Sequence, residues 1–187
     1  MLKIALHGKD DIVVISLLGT LHNILGLLQH EEGFDFYLPE NSAKDVCGEV
    51  TLIPNACLSA KFDELMRRNK LLAEIAKHAP CSVYHLSTSA PKKSNHFIAD
   101  HASIYRGEEV SEANITLPNL RLKLWKIEMS ILEKLCLEWG LKFLTVPEYA
   151  LCDDGFLKEC FYADDVTHAN TKYGELVLEK LKMLVSA

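Results

Sequence analysis

The sequence predicts a single α/β domain over residues 1–187, and three observations carry that expectation. Three short aliphatic or β-branched runs, at 11–18, 81–86 and 141–146, read as strands of the kind buried in a parallel sheet. Segments with apolar residues at helical spacing follow each of them. The order strand, helix, strand, helix, strand, helix is that of an α/β sheet with right-handed crossovers. With 187 residues and 49% hydrophobic content, the chain is long enough to bury one ordinary core.

Each element has its own local reason. The run at 11–18 is continuous and ended by Gly19, so it is expected to be buried on both faces, Ser16 included. Residues 21–29 carry apolar side chains at 21, 24, 25 and 28, a short helical spacing. Residues 33–60, holding Pro39, Gly48 and Pro54, read as an irregular excursion with a short strand near 50–53. From 61 to 78 the apolar positions 62, 65, 66, 72, 75 and 76 fit one helical face, which Pro80 closes. Arg67 and Arg68 fall on its solvated side.

After the strand at 81–86, residues 87–106 read as a long polar loop with one helical turn. Pro118 suits a first helical turn, and Leu120, Leu124, Ile127, Ile131 and Leu135 form a stripe widened by Trp125, Leu132, Cys136 and Trp139. Gly140 is placed to end that helix in a left-handed conformation. The strand at 141–146 stops at Pro147, and Asn170 or Thr171 can cap a last helix with Tyr173, Val177, Leu181 and Leu184 on one side.

Bulk properties exclude several classes. A net charge of −6 leaves no basic footprint for nucleic acid or an anionic membrane surface. No apolar run approaches the roughly 20 residues that span a bilayer. The N-terminus is too short and too soon charged for a signal peptide, so the cytoplasm is the expected compartment. Cysteines 47, 57, 81, 136, 152 and 160 lack CxxC spacing and read as reduced. His85, His96 and His101 flank one loop, and His96 with Asp100 could share a helical face, but no recognised ligand spacing emerges. Neither a metal nor a cofactor is expected.

In such sheets the loops at the carboxyl ends of the strands carry the chemistry. The loop after the third strand places Asp165 three residues before His168, immediately ahead of the last helix. A carboxylate so placed can hold one imidazole nitrogen, fix the tautomer and leave the other nitrogen for a substrate. The plainer alternative is that Asp165 caps the turn and His168 is a surface residue; a chance Asp-x-x-His is expected roughly 0.4 times in a chain of this composition.

The flanking residues narrow the choice. Asp154-Gly155-Phe156-Leu157, Asp165-Val166-Thr167-His168-Ala169-Asn170 and Tyr173-Gly174 resemble the last motif block of the SGNH (GDSL-type) hydrolase superfamily, and more narrowly a bacterial SGNH-like subgroup. The helix from Arg121, the run Phe143-Leu144-Thr145-Val146-Pro147, and Leu25 through Phe34-Asp35-Phe36 to Pro39 look similar too. The resemblance covers about residues 12–40 and 81–184. It implies a flavodoxin-like three-layer α/β/α fold with a parallel sheet. It also implies a serine-esterase mechanism on an ester or acyl-carbohydrate substrate, with His168 as base and Asp165 as its orienting carboxylate.

The chain departs from that pattern at its front. The family's Gly-Asp-Ser type nucleophile block has no counterpart: His7-Gly8-Lys9-Asp10 has a glycine but no serine. The strand at 11–18 resembles the third block, whose turn supplies an oxyanion donor. Here that turn reads Gly19-Thr20-Leu21-His22-Asn23, which makes Gly19 and Asn23 the candidate donors. The domain is therefore expected to be N-terminally incomplete, by truncation or as a natural short form. Among internal serines, Ser87 sits directly after the second strand and is the better candidate nucleophile. Ser89-Ala90-Pro91-Lys92 matches Ser-x-x-Lys, but Pro91 obstructs the helical turn that the motif needs. Two classes stay open: a hydrolase, impaired for want of its nucleophile, and a non-catalytic SGNH-fold binding or assembly protein. A missing first strand would leave 12–18 as a sheet edge, the expected seat of a homodimer unless residues 1–10 cover it.

Overall fold

The computed structural model describes residues 11–38, 50–102 and 104–185. In chain order it contains β1 (Ile12–Ile15), α1 (Leu21–Gly26), β2 (Phe34–Asp35), β3 (Thr51–Leu52), α2 (Asn55–Arg67), α3 (Leu71–His78) and β4 (Ser82–Leu86). Then come α4 (Asn95–Asp100), β5 (Ile104–Tyr105), β6 (Glu108–Glu109), α5 (Pro118–Glu138), β7 (Lys142–Leu144) and α6 (Thr171–Val185). Strands β1, β4 and β7 form a parallel sheet in the order β1-β4-β7, with Ile15 opposite His85 and His85 opposite Phe143. The mixed α/β class and the parallel sheet expected from the three aliphatic runs are present. Two further two-stranded sheets pair β2 with β3 in parallel and β5 with β6 in antiparallel fashion.

The first strand is shorter and wetter than its composition predicts. It ends at Ile15, and Val14, Ser16 and Leu17 are exposed rather than buried. Among the described residues β1 is an edge, so one face of each peptide lacks a strand neighbour. Its early end has a specific cause. The His85 Nε2 accepts hydrogen bonds from the backbone N–H groups of Leu17 and Leu18, both at 3.3 Å. A side chain thus takes over from the ladder, and Gly19 at φ +109° turns the chain away. Residues 1–10, which include His7-Gly8-Lys9-Asp10 and on which any cover for this edge is expected to depend, lie outside the described residues, as do Pro39 and Gly48.

The predicted helix at 61–78 is two helices. Asn69 separates them: its N–H donates to the Met66 carbonyl, and its Oδ1 accepts from the Leu71 N–H at 3.2 Å. An asparagine that bonds locally competes with helix continuation. Gly140, at φ +75°, ends α5 as its position predicts.

Helix α5 is the centre of the core. Leu124, Leu132, Leu135 and Cys136 are fully buried on it, against Phe62 and Met66 of α2, Leu72 of α3, and Phe36, Phe156 and Leu157 from loops and short strands. Burial pushes the Cys136 thiol up to about 12, so it is an inert hydrophobe. Trp125 is core, as its stripe predicts, and its indole N–H donates to the Thr88 carbonyl at 3.4 Å. Arg67 lies on the outer side of α2 and pairs with Asp63 and Glu138.

Candidate active site

Helix α5 connects β4 to the parallel β7, and its residues 121–128 meet the segments that follow β1 and β4. Arg121 bonds the Lys92 and Lys93 carbonyls, Trp125 the Thr88 carbonyl, and Glu128 the Leu21 and His22 N–H groups. The loops after β1 and β4, the start of α5 and the segment after β7 therefore converge at one edge. The post-β7 segment folds without regular strands. A turn at Asp153-Asp154-Gly155, with Gly155 at φ +89°, sends Phe156 and Leu157 into the core. The Leu157 N–H donates to the Pro91 carbonyl at 3.1 Å, and Asp154 pairs with Lys93 at 2.7 Å.

Residues 162–170 then form a closed loop. The Ala163 N–H donates to the His168 carbonyl at 3.1 Å and the Asn170 N–H to the Phe161 carbonyl at 2.8 Å. The Asn170 side chain donates to the carbonyls of Cys160 and Tyr162, while its Oδ1 accepts from the Tyr173 N–H at the start of α6. One residue thus closes the loop and caps the helix, which accounts for Asn170 at this position.

Within the loop the Asp165 carboxylate is fully engaged. Its Oδ1 accepts the backbone N–H groups of Thr167 (2.9 Å) and His168 (2.7 Å), and its Oδ2 lies 2.7 Å from His168 Nδ1. Partial burial opposes ionisation of this carboxyl. The two N–H donors and the imidazole outweigh it, so the group is held below the usual carboxylate range. Both readings of the tetrad are therefore satisfied together: Asp165 caps the turn and also meets the imidazole. Asp165, not Asp164, is the partner. The His168 side chain is 80% exposed, so Nε2 faces water with its lone pair outward when Nδ1 carries the proton. Such a ring can accept a proton from a bound hydroxyl.

The remaining candidates stand apart from it. Ser87 extends the β4–β7 pairing through its N–H to the Leu144 carbonyl (2.9 Å), and it borders a crevice of about 10 Å³ beside Tyr173 and Lys180. Among the described residues no hydrogen bond joins Ser87 or Ser89 to His168. Lys92 does not serve Ser89. It is buried, and its ammonium donates to the carbonyls of Ala163 (2.7 Å) and Asp165 (2.5 Å).

The turn after β1 is held by a residue that the sequence reading passed over. Glu128 of α5, fully buried, accepts the N–H groups of Leu21 and His22, both at 2.8 Å, and His22 Nδ1 at 2.5 Å. These two backbone donors are consumed, so neither can serve an oxyanion; Gly19 is buried and Asn23 lies in α1. A Cβ on Gly19 would lie 2.8 Å from Thr88 Cγ2, so the turn and the post-β4 loop are in close approach. Arg121 and Glu128 sit seven residues apart on the ridge shared by Trp125 and Leu132. That spacing placed two charges inside the widened apolar stripe, and it was the available signal.

His96 meets both Asp100 (3.2 Å) and Glu112 (2.6 Å), which raises its pKa through the Glu112 hydrogen bond first. Among the described residues no group of three His, Cys, Asp or Glu is disposed to hold a metal. No helix among them is long and apolar enough to cross a membrane. No protein-family model matches the chain, and comparison with curated proteins gives no match.

Proposed function

We propose that this chain carries the acid–base part of an SGNH-type serine hydrolase, with His168 as general base and Asp165 as the carboxylate that orients it. The substrate class is an ester or acyl-carbohydrate. The observation that carries this reading is the 2.7 Å contact between Asp165 Oδ2 and His168 Nδ1, which leaves Nε2 of an exposed ring facing water. The three-layer, flavodoxin-like arrangement belongs to the same proposal and draws support from the parallel order β1-β4-β7. Gly19 and Asn23 are assigned the oxyanion side of the site.

With no described serine bonded to His168, acyl transfer stays at trace level, because a base without a nucleophile retains little of that chemistry. The open exposure of His168 favours one second reading: an SGNH-fold binding or assembly protein that keeps the dyad for contact rather than turnover. Either form is proposed to associate through the β1 edge.

The test is hydrolysis of p-nitrophenyl acetate by the pure protein. A slow rate that His168→Ala abolishes and Asp165→Asn reduces supports the hydrolytic reading. Equal rates in all three proteins refute it in favour of the binding protein. A fast rate lost in Ser87→Ala but not in Ser89→Ala would show that Ser87 supplies the missing nucleophile.

A further inference from the structure

Two buried cations stand behind the dyad: Lys92, whose carboxylate partner is Asp165 itself, and Arg121, which among the described residues pairs with no carboxylate. Lys92 has no exposed side-chain surface. Its ammonium donates to the Ala163 and Asp165 carbonyls and lies 3.6 Å from Asp165 Oδ1, with the rings of Phe97 and Tyr162 at 4.8 and 5.2 Å. Burial lowers its pKa; the Asp165 carboxylate, and at longer range that of Asp164, oppose the fall. Arg121 of α5 is also buried. Its guanidinium donates to the carbonyls of Lys92 (2.9 Å) and Lys93 (3.1 Å), to Asn95 Oδ1 (2.7 Å) and to the Thr116 carbonyl, while Nε has no partner. Burial pushes its pKa down to about 10.

Burying a lysine without a full salt bridge is costly unless its donors are satisfied by a particular geometry. Here that geometry is the dyad loop itself. The Asp165–His168 turn closes through its own N–H bonds, so Lys92 is not needed to form it. What Lys92 adds is attachment. It ties the loop after β7 to the loop after β4, and Arg121 holds the Lys92 backbone from the far side. The charged groups facing the Asp165 carboxylate are then His168 on one side and Lys92 on the other.

We propose that Lys92, backed by Arg121, is the positioning residue of this site: it docks the preformed Asp165–His168 turn on the post-β4 loop and supplies the second charge that Asp165 sees. The proposal rests on the dyad geometry and the reading given to it, but its test requires no turnover.

Lys92→Met keeps the length and removes the donors and charge. Amide exchange of Ala163 and Asn170 should then quicken about tenfold, the effect of losing one or two buried hydrogen bonds, with β4 and mid-α5 unchanged. The Asp165 carboxyl, followed by carbon-13 NMR, should titrate at higher pH. Lys92→Gln, which restores a donor without charge, should recover the exchange protection but not the carboxyl titration. Wild-type exchange and wild-type Asp165 titration in Lys92→Met would overturn the proposal. So would acceleration spread evenly over β4 and α5, which would mean a general packing role. If Lys92→Met does not fold, Lys92→Gln decides alone: an unchanged Asp165 titration refutes the electrostatic role and a raised one supports it.

Discussion

Replacing His85 by Phe keeps a ring in the β4 core and removes every polar contact it makes. The wild-type imidazole accepts the Leu17 and Leu18 N–H groups through Nε2, both at 3.3 Å, and donates from Nδ1 to the Leu86 carbonyl at 2.8 Å. The two accepted bonds are long and half-buried, so each is worth about 1 kcal/mol net, and the unpaired Leu86 carbonyl costs a similar amount. The expected loss is about 2–4 kcal/mol. With a urea slope near 2 kcal/mol/M, that is a fall of about 1–2 M in the unfolding midpoint at neutral pH.

The pH dependence carries the sharper information. Burial holds the His85 pKa below its ordinary value, with the Leu86 hydrogen bond opposing the shift. The unfolded chain therefore takes up a proton near pH 6.5 that the native ring refuses. The His85 contribution is full above that pH and is lost as pH falls toward the depressed folded value. The stability gap between wild type and His85→Phe should be widest at pH 7–8 and narrow by pH 5. A gap that stays constant or widens toward acid would refute the neutral, accepting imidazole.

Three further expectations follow from single contacts. Gly19→Ala places a Cβ 2.8 Å from Thr88 Cγ2 at φ +109°, and should cost about 2–4 kcal/mol, read as a fall in melting temperature of about 5–10 °C. Glu128→Gln puts an NH2 donor among three N–H donors in a fully buried site, and should lower stability by about 2–4 kcal/mol in urea titration. Asp165→Asn should be less stable than wild type above the ordinary carboxylate range. The difference should vanish as pH falls through the depressed native value, because protonation then removes what the substitution removed; thermal scans from pH 2 to 7 check this.

The parts of the fold set by one chain segment were legible. Continuous aliphatic runs marked all three parallel strands, and helix α5 was bounded by Pro118 and Gly140 within one residue. The dyad was legible because Asp165 and His168 interact across three residues and need no tertiary information to meet. What failed depended on distant side chains. Strand β1 stops short because His85, 68 residues away, captures the Leu17 N–H. Lys92 read as half of a Ser-x-x-Lys motif because composition gives no hint that its ammonium ends among the Ala163 and Asp165 carbonyls. Glu128 lies inside the apolar stripe of α5, but its role appears only once α1 is folded against that helix and the Leu21 and His22 N–H groups reach its carboxylate.

The most direct test of the central claim is the protonation pattern of the His168 ring, seen by long-range proton–nitrogen NMR at a pH where the imidazole is neutral. The 2.7 Å contact with Asp165 requires the proton on Nδ1 and a bare Nε2, and Asp165→Asn should shift the ring toward the Nε2–H form. A wild-type ring already in the Nε2–H form, or a pattern that Asp165→Asn leaves unchanged, would show that the carboxylate does not orient this base.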